Sequence, residues 1–179
     1  MNIALIGYRA CGKTTVAQHL GSRLGWEWID CDVALETRAG KSIKQMFDDD
    51  GEPAFRALEA EILGDLSRRD RVILATGGGA VLRDDNRKAL QDHCSVVWLR
   101  ASVETILRRL SQDETTAGRR PALTNLDQRQ EVERVLAARE PLYRAAADLD
   151  LDADEASPSE LAGAILRRLG LSSPASETA

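Results

Sequence analysis

A glycine-rich stretch near the start of the chain carries a lysine and a threonine at a spacing that suits phosphate binding. The segment GYRACGKT, residues 7–14, fits the pattern G-x-x-x-x-G-K-S/T. In such loops the backbone N–H groups surround a phosphate, the lysine reaches its outer oxygens and the hydroxyl binds Mg²⁺. These roles fall to Lys13 and Thr14. The alternative is an ordinary glycine turn, which seldom lies between a strand pattern and a helical pattern.

Two aspartates in the segment DCD offer carboxylates for the same site. Asp30 and Asp32 follow the run WEWI, and residues two apart at a strand end can project to the same side. The strand patterns that end at residues 76 and 99 supply no acidic residue. We expect one carboxylate to approach the metal through water and the other to hold a substrate hydroxyl. The alternative is that one aspartate only caps the next helix.

Arginines and glycines farther along the chain indicate a pocket for a small anion. Arg56 and Glu59 in FRALE are i and i+3 on a predicted helix, so the carboxylate can orient the guanidinium. An exposed surface pair is the alternative. The glycines at residues 77–79 follow a strand and permit close approach of a ligand, unless they form a plain loop. Arg120 and Arg139 flank a polar loop and the helix after it, and arginine binds carboxylate or phosphate through paired hydrogen bonds.

The elements that must position these residues alternate between strands and helices. Short apolar runs predict strands at residues 2–6, 26–30, 72–76, 95–99 and 149–153. Helical spacing and capping residues predict helices at 13–24, 32–37, 42–47, from about 53 to 66, 84–91, 102–110, 127–139 and 157–169. The strands are short and not cleanly amphipathic, as in a sheet covered on both faces. The expected fold is a three-layer α/β/α domain with a mostly parallel five-stranded sheet.

Three segments depart from that alternation. Residues 111–125 are polar without apolar periodicity, which is typical of a mobile loop, and we interpret about 111–124 as a lid. Pro141 is expected to break or kink its helix because proline has no N–H. With no repeat and no linker, residues 1–169 are interpreted as one domain, and 170–179 as a disordered tail.

Composition narrows the classes of protein and partner. A length of 179 residues suits one domain with its own core. The net charge of −5 argues against nucleic-acid binding, and no apolar run reaches the roughly 20 residues of a membrane span. The N-terminus lacks a signal-peptide pattern. Cys11, Cys31 and Cys94 are odd in number and lack metal-site spacing, so we expect reduced thiols in a cytoplasmic monomer that binds a small molecule.

Six motifs taken together resemble those of the shikimate kinase family. They are GYRACGKTT, DCD, FRALE, TGGG, RRP and REPLY, and the resemblance covers about residues 1–169. The last three distinguish the chain from gluconate kinases and nucleoside monophosphate kinases, which share the fold. The resemblance implies a P-loop kinase fold with strand order 2-3-1-4-5. It also implies transfer of the γ-phosphoryl group of ATP to the 3-hydroxyl of shikimate, a step of aromatic amino-acid biosynthesis.

The resemblance assigns the donor half of the reaction to the glycine-rich loop. Gly12, Lys13, Thr14 and Thr15 are implied to bind the phosphates of ATP, with Lys13 among the catalytic residues. Thr14 is implied to bind Mg²⁺, with Asp30 near the metal. Phosphoryl transfer needs mainly positioning and charge neutralisation, which these groups supply.

The acceptor half is implied to lie on residues from four separate motifs. Asp32 is implied to bind the shikimate hydroxyl that is phosphorylated, and we expect it to orient that hydroxyl more than to act as a base. Arg56 and Arg139 are implied to bind the carboxylate and Gly78 the ring hydroxyls. Arg120 is implied to reach the transferred phosphoryl from the lid, which would exclude water on closing.

Two positions depart from the family pattern. Ala10 stands where many of these kinases have glycine, and a positive φ there would cost about 1 kcal/mol, so we expect a slightly adjusted loop with retained activity. An arginine that often lies near adenine has no counterpart at residues 111–118. Arg109 and Arg119 are the nearest, and the loop near residue 157 is expected to contribute.

Two other functions are compatible with parts of the pattern. A kinase of another small hydroxy acid, with gluconate the leading case, would share the phosphate loop. A nucleotide-binding regulatory protein without catalysis would have lost catalytic residues, yet Lys13, Asp32 and Arg120 are all present.

Overall fold

A single parallel sheet organises the part of the chain that the computed structural model describes, residues 1–112 and 127–172. Within those ranges the sheet has five strands in the order β2-β3-β1-β4-β5, and all four strand pairs are parallel. The strands are β1 (Asn2–Ile6), β2 (Glu27–Asp30), β3 (Val72–Ala75), β4 (Cys94–Arg100) and β5 (Leu149–Asp152). The predicted sheet and its strand order are confirmed.

Helices connect the strands and cover both faces of the sheet. They are α1 (Lys13–Leu24), α2 (Cys31–Ala39), α3 (Ile43–Asp49), α4 (Gly51–Ser67), α5 (Asp84–His93), α6 (Val103–Gln112), α7 (Gln128–Ala146) and α8 (Pro158–Leu169). A single 3₁₀ turn, Ala80–Leu82, precedes α5. None of the helices in the described ranges has the length and apolar character needed to cross a membrane.

Burial of both sheet faces explains why β1 has no amphipathic pattern. Its residues alternate between two cores: Ile3 and Leu5 pack with α1 and α8, while Ala4 and Ile6 pack with α2 to α5 and α7. All four side chains are fully buried. Because successive strand residues face opposite ways, a strand between two helical layers must be apolar at every position. The three-layer architecture follows.

Side-chain caps fix where several helices begin, as the sequence predicts. Ser42 and Ser157 each form a capping box with the glutamine or glutamate three residues later. Ser102 accepts a hydrogen bond from the N–H of Thr105 at 3.2 Å. Such caps satisfy backbone donors that have no partner within the helix.

Helix α7 differs from the sequence prediction, because it runs through Pro141 to Ala146 instead of ending. Proline removes one backbone hydrogen bond and costs about 3 kcal/mol in a helix interior. Beyond the proline, however, Tyr143 and Ala146 are 0% and 1% exposed. Burial of this last turn against the core outweighs the lost hydrogen bond, because most helical stability in proteins comes from packing.

Several other helix boundaries also differ from expectation by one or two residues. Helix α4 begins at Gly51, two residues before the predicted start, and α6 extends to Gln112. The predicted polar loop therefore begins later than residue 111. The lid prediction from residue 113 onwards and residues 173–179 of the predicted tail lie outside the described residues.

Candidate functional site

The glycine-rich loop joins β1 to α1 in a conformation that its two motif glycines permit. Gly7 has φ of 139° and Gly12 has φ of 100°. A Cβ atom on Gly7 would lie 2.5 Å from the carbonyl oxygen of Leu99, so no larger residue fits there. Gly12 is the N-cap of α1, which directs the backbone N–H groups of the first turn into the loop. The loop is therefore built to bind an anion.

The ammonium group of Lys13 is held over this loop. Lys13 Nζ donates hydrogen bonds to the carbonyl oxygens of Gly7 at 2.9 Å and Tyr8 at 2.7 Å, and the residue is 8% exposed. Its charge therefore lies beside the backbone donors of the loop. A phosphate in the loop would meet both the charge and the N–H groups.

Ala10 occupies the conformation that the sequence analysis considered, with φ of 62°. Left-handed backbone costs a residue with a Cβ about 1–2 kcal/mol. Arg109 helps to hold this strained segment. It donates hydrogen bonds to the carbonyl oxygens of Ala10 and Cys11 at 3.3 and 3.0 Å. Arg109 also donates to the carbonyl oxygen of Ala153 at 2.6 Å, so it links the loop to the end of β5.

Asp30 caps the next helix, which is the alternative that the sequence left open, and it also contacts the phosphate loop. Its Oδ1 accepts from the N–H groups of Asp32 and Val33 and caps α2. Its Oδ2 accepts from the Thr14 hydroxyl at 2.8 Å. Asp32 lies in the first turn of α2 and lines the same cleft as Thr14 and Asp30. The structure thus brings Thr14, Asp30 and Asp32 together at the carboxyl ends of the strands, where parallel sheets bind ligands.

These residues line one continuous cleft, which we call the phosphate groove. Its walls are the loop, the aspartates, and the start of α8. Its lining includes Arg9, Gly12, Lys13, Thr14, Thr15, Asp30, Asp32, Gly78, Arg109, Ala156 and Pro158. The segment near residue 157, which is expected to contribute to adenine binding, also lines the groove. Arg109 also lines the groove, although it does not align cleanly with the family pattern.

A second cavity, which we call the arginine pocket, lies beside the groove. Its lining residues are Tyr8, Arg9, Ile43, Phe47, Phe55, Arg56, Glu59, Gly78, Gly79 and Arg139. Aromatic and aliphatic side chains form one part of this lining, and arginines with a buried glutamate form the rest. A pocket of this composition suits a small molecule that has an apolar ring and anionic or hydroxyl substituents.

Arg56 is held in the pocket by two glutamates of its own helix. Its Nη1 donates to Glu59 at 2.8 Å, and its Nε and Nη2 each donate to Glu52 at 3.2 Å. Glu59 is 5% exposed, so the pair is part of the pocket and the surface-pair alternative is wrong. A Cβ atom on Gly79 would lie 2.6 Å from Arg56 Nη2. Glycine is therefore needed at residue 79 for the guanidinium to lie where it does.

Gly78 joins the pocket to α7. Its carbonyl oxygen accepts from Arg139 Nη1 at 3.1 Å and from the Tyr143 hydroxyl at 2.5 Å. Burial raises the pKa of Tyr143 well above its usual range, so the hydroxyl stays a donor. A Cβ atom on Gly78 would lie 3.1 Å from the backbone nitrogen of Arg9. The glycine therefore allows the loop, the end of β3 and α7 to meet closely.

The phosphate groove and the arginine pocket adjoin, and Arg9, Ile43 and Gly78 line both. A phosphate donor in the groove would therefore face an acceptor in the pocket. Arg9 was not among the site residues predicted from the sequence. Arg9 is a charged residue at a position that the loop pattern leaves unrestricted. The sequence alone does not show which residue lies next to it in the fold.

The structure places all but one of the predicted site residues in these two cavities. Gly12, Lys13, Thr14, Thr15, Asp30 and Asp32 line the groove, Arg56 and Arg139 line the pocket, and Gly78 lines both. Arg120 lies outside the described residues. Its role stays a prediction.

A phosphate loop before α1, a parallel sheet of order 2-3-1-4-5 and an adjoining acceptor pocket define a P-loop kinase of small molecules. The model of one such family, described as SKI: Shikimate kinase, matches residues 9–170. The chain belongs to the shikimate kinase family. The family recognised from the six motifs is confirmed.

Relatives match the chain over nearly its whole length. The shikimate kinase of Rhodopirellula baltica is 41% identical over 166 residues, which cover 93% of this chain and 89% of the relative. That of Chromobacterium violaceum is 39% identical over 173 residues, with 97% and 91% covered. The structure of shikimate kinase from Acinetobacter baumannii in complex with shikimate superposes with a TM-score of 0.88 at 36% identity, covering 94% of this chain and 92% of that one.

Proposed function

We propose that the chain is a shikimate kinase, which transfers the γ-phosphoryl group of ATP to the 3-hydroxyl of shikimate and releases shikimate 3-phosphate and ADP. The observation that carries the proposal is the contact between the phosphate groove and a pocket that holds Arg56 and Arg139. Shikimate has a carboxylate at one end and hydroxyls at the other. The pocket offers guanidinium groups at its arginine end and opens towards the groove, so this acid can present a hydroxyl to the donor.

In the donor half, Gly12, Lys13, Thr14 and Thr15 bind the phosphates of ATP. The hydroxyl of Thr14 and the carboxylate of Asp30 would hold Mg²⁺, since both are oxygen donors, only 2.8 Å apart and facing the groove. Bound there, Mg²⁺ supplies neutralisation of phosphate charge. Lys13 adds a second positive charge at the loop, and the backbone donors orient the chain of phosphates.

In the acceptor half, Arg56 and Arg139 bind the carboxylate of shikimate, and Gly78 contacts the ring hydroxyls. Asp32 stands in the groove, at the start of α2, where its carboxylate accepts a hydrogen bond from the hydroxyl that reacts. We assign it mainly an orienting role, because a loose phosphoryl-transfer transition state needs little early proton removal. In-line positioning then accounts for most of the rate.

Four further statements stay predictions. Arg120 contacts the transferred phosphoryl from a lid at about residues 111–124. Residues 1–169 form one domain. The protein is a monomer, and it acts in the cytoplasm.

The test is shikimate-dependent ADP release, measured with a coupled assay across several acids. Shikimate, and not gluconate, is expected to stimulate ATP consumption. Asp32→Asn should abolish the shikimate-dependent rate while nucleotide binding, measured by calorimetry, is retained. Asp65→Asn is the matched control, since Asp65 is exposed on α4 away from both cavities. Normal turnover by Asp32→Asn, or a preference for gluconate, would contradict the assignment of the acceptor site.

A further inference from the structure

Arg9 lies where the two cavities meet and forms an ion pair with a residue that is distant in the sequence. Its Nη2 donates to Glu131 Oε1 at 3.0 Å, although the two residues are 122 positions apart. The side chains are 17% and 4% exposed. A buried ion pair of this kind adds little net stability, yet removal of one partner is costly because it leaves a buried charge. Stability of the fold is thus a weak explanation for the pair.

The partner of Arg9 stands on the helix that also carries a residue of the arginine pocket. Glu131, Arg139 and Tyr143 all belong to α7. Glu131 holds the phosphate loop through Arg9, while Arg139 and Tyr143 hold the carbonyl oxygen of Gly78. Gly78 in turn packs against the backbone nitrogen of Arg9. The loop, the end of β3 and α7 therefore form a closed ring of contacts around the junction of the cavities.

Two polar atoms near this ion pair indicate that the arrangement is not optimised for stability. Arg9 Nε and the Tyr8 hydroxyl are buried, and neither makes a hydrogen bond of good geometry within the described residues, although the two side chains interact with each other. A buried donor without a partner costs about 1–3 kcal/mol. Burial also raises the pKa of Tyr8, so the hydroxyl remains protonated. Such costs are typical of regions where residues are positioned for function.

We infer that Arg9 and Glu131 are positioning residues that couple the two substrate sites. An acid bound to Arg139 orders α7, and the ion pair between Arg9 and Glu131 then restricts the phosphate loop as well. Because the loop is already ordered, less conformational entropy is lost when a nucleotide binds. The reverse holds by linkage: a nucleotide in the groove strengthens binding of the acid by the same factor. This inference rests on the proposed function, which supplies the identity of the acid.

The experiment measures the dissociation constant of a non-hydrolysable ATP analogue by calorimetry, with and without saturating shikimate. The wild-type ratio of the two constants should be at least about fivefold, the lower end for coupled sites. In Arg9→Met and in Glu131→Gln the ratio should fall to near one. Arg9→Lys keeps the charge and should keep part of the coupling.

The double variant Arg9→Met, Glu131→Leu separates positioning from folding. It leaves neither charge buried alone, so its thermal midpoint should stay near that of the wild type. Its coupling ratio should nevertheless be near one. Arg144→Met and Glu140→Gln are the matched controls, because they alter an exposed ion pair on the same helix, and both should retain the wild-type ratio.

The possible results distinguish this inference from the proposed function. A wild-type ratio of one, or a folded double variant with the wild-type ratio, overturns the inference alone if shikimate is still phosphorylated. If the wild-type chain binds the analogue but neither binds nor phosphorylates shikimate, the proposed function fails and the inference fails with it.

Discussion

The phosphate groove and the arginine pocket share an edge but are built in different ways. The groove is centred on eight consecutive residues, 7–14, and its form depends on the backbone conformation at Gly7, Ala10 and Gly12. The pocket is assembled from side chains on α3, α4 and α7 and from the glycines after β3. A backbone site is tolerant of side-chain changes as long as φ and ψ are kept. A side-chain site depends on how distant elements pack.

The largest expected effect tests the charged side chain of the phosphate loop. Lys13→Met should lower kcat by roughly 10²–10³, the loss typical of removing one charged or hydrogen-bonding group from a transition state. Steady-state kinetics with saturating shikimate measures it. Lys44→Met, at an exposed lysine of α3, is the control. A loss below tenfold would mean that the backbone alone supplies the groove.

The next effect tests the packing of the arginine pocket. Gly79→Ala places a Cβ atom within 2.6–2.9 Å of the Arg56 guanidinium, which must then move away from its glutamates. The KM for shikimate should rise by roughly tenfold, since one misplaced bidentate group loses about 1.4 kcal/mol or more. Gly64→Ala on α4 meets only an ordinary contact at 3.6 Å and should leave KM unchanged. An unchanged KM in Gly79→Ala would contradict the placement of Arg56.

A smaller effect tests the support behind the pocket. Tyr143→Phe removes the 2.5 Å hydrogen bond to the carbonyl oxygen of Gly78, which still accepts the hydrogen bond from Arg139. The free energy of unfolding in urea should fall by about 1 kcal/mol, and the KM for shikimate should rise a few-fold. The affinity for nucleotide in the absence of shikimate should not change.

The same variant has a pH signature. Burial raises the pKa of Tyr143 in the folded protein, so its stabilising contribution is present below pH 10 and is lost as the pH rises above the unfolded value of about 10. The wild type should therefore lose stability in that range more steeply than Tyr143→Phe. Equal slopes in the two proteins would contradict the burial of this hydroxyl.

The smallest effect is expected at Ala10. Ala10→Gly relieves a left-handed alanine, with φ of 62°, but adds freedom to the unfolded chain, so stability should change by less than about 1 kcal/mol. Affinity for ATP should change by less than about threefold, because the loop binds through its backbone. Gly12→Ala, at φ of 100°, is the opposite case and should lose nucleotide binding. A large change in Ala10→Gly would show that the methyl group itself matters.

The difference between the two cavities also explains what the sequence could predict. The groove is a contiguous pattern, and the alternation of strands and helices predicts its place at the strand ends. The Arg56–Glu59 pair was predictable because both residues lie on one helix. The ion pair of Arg9 with Glu131 and the contact of Gly79 with Arg56 depend on tertiary packing, for which local spacing gives no signal. The continuation of α7 through Pro141 has the same cause, since burial overrides local propensity.

The hydrogen bonds of Arg56 have a consequence for how the pocket attracts its ligand. Glu52 and Glu59 already face this guanidinium, so its positive charge is largely offset at distances beyond the pocket. The Arg56 guanidinium then contributes little to the long-range electrostatic steering of an anionic acid, which ionic strength screens. Selection occurs on contact, through the geometry of the hydrogen bonds. Arg56 should accordingly contribute little to any dependence of the rate of association with shikimate on added salt.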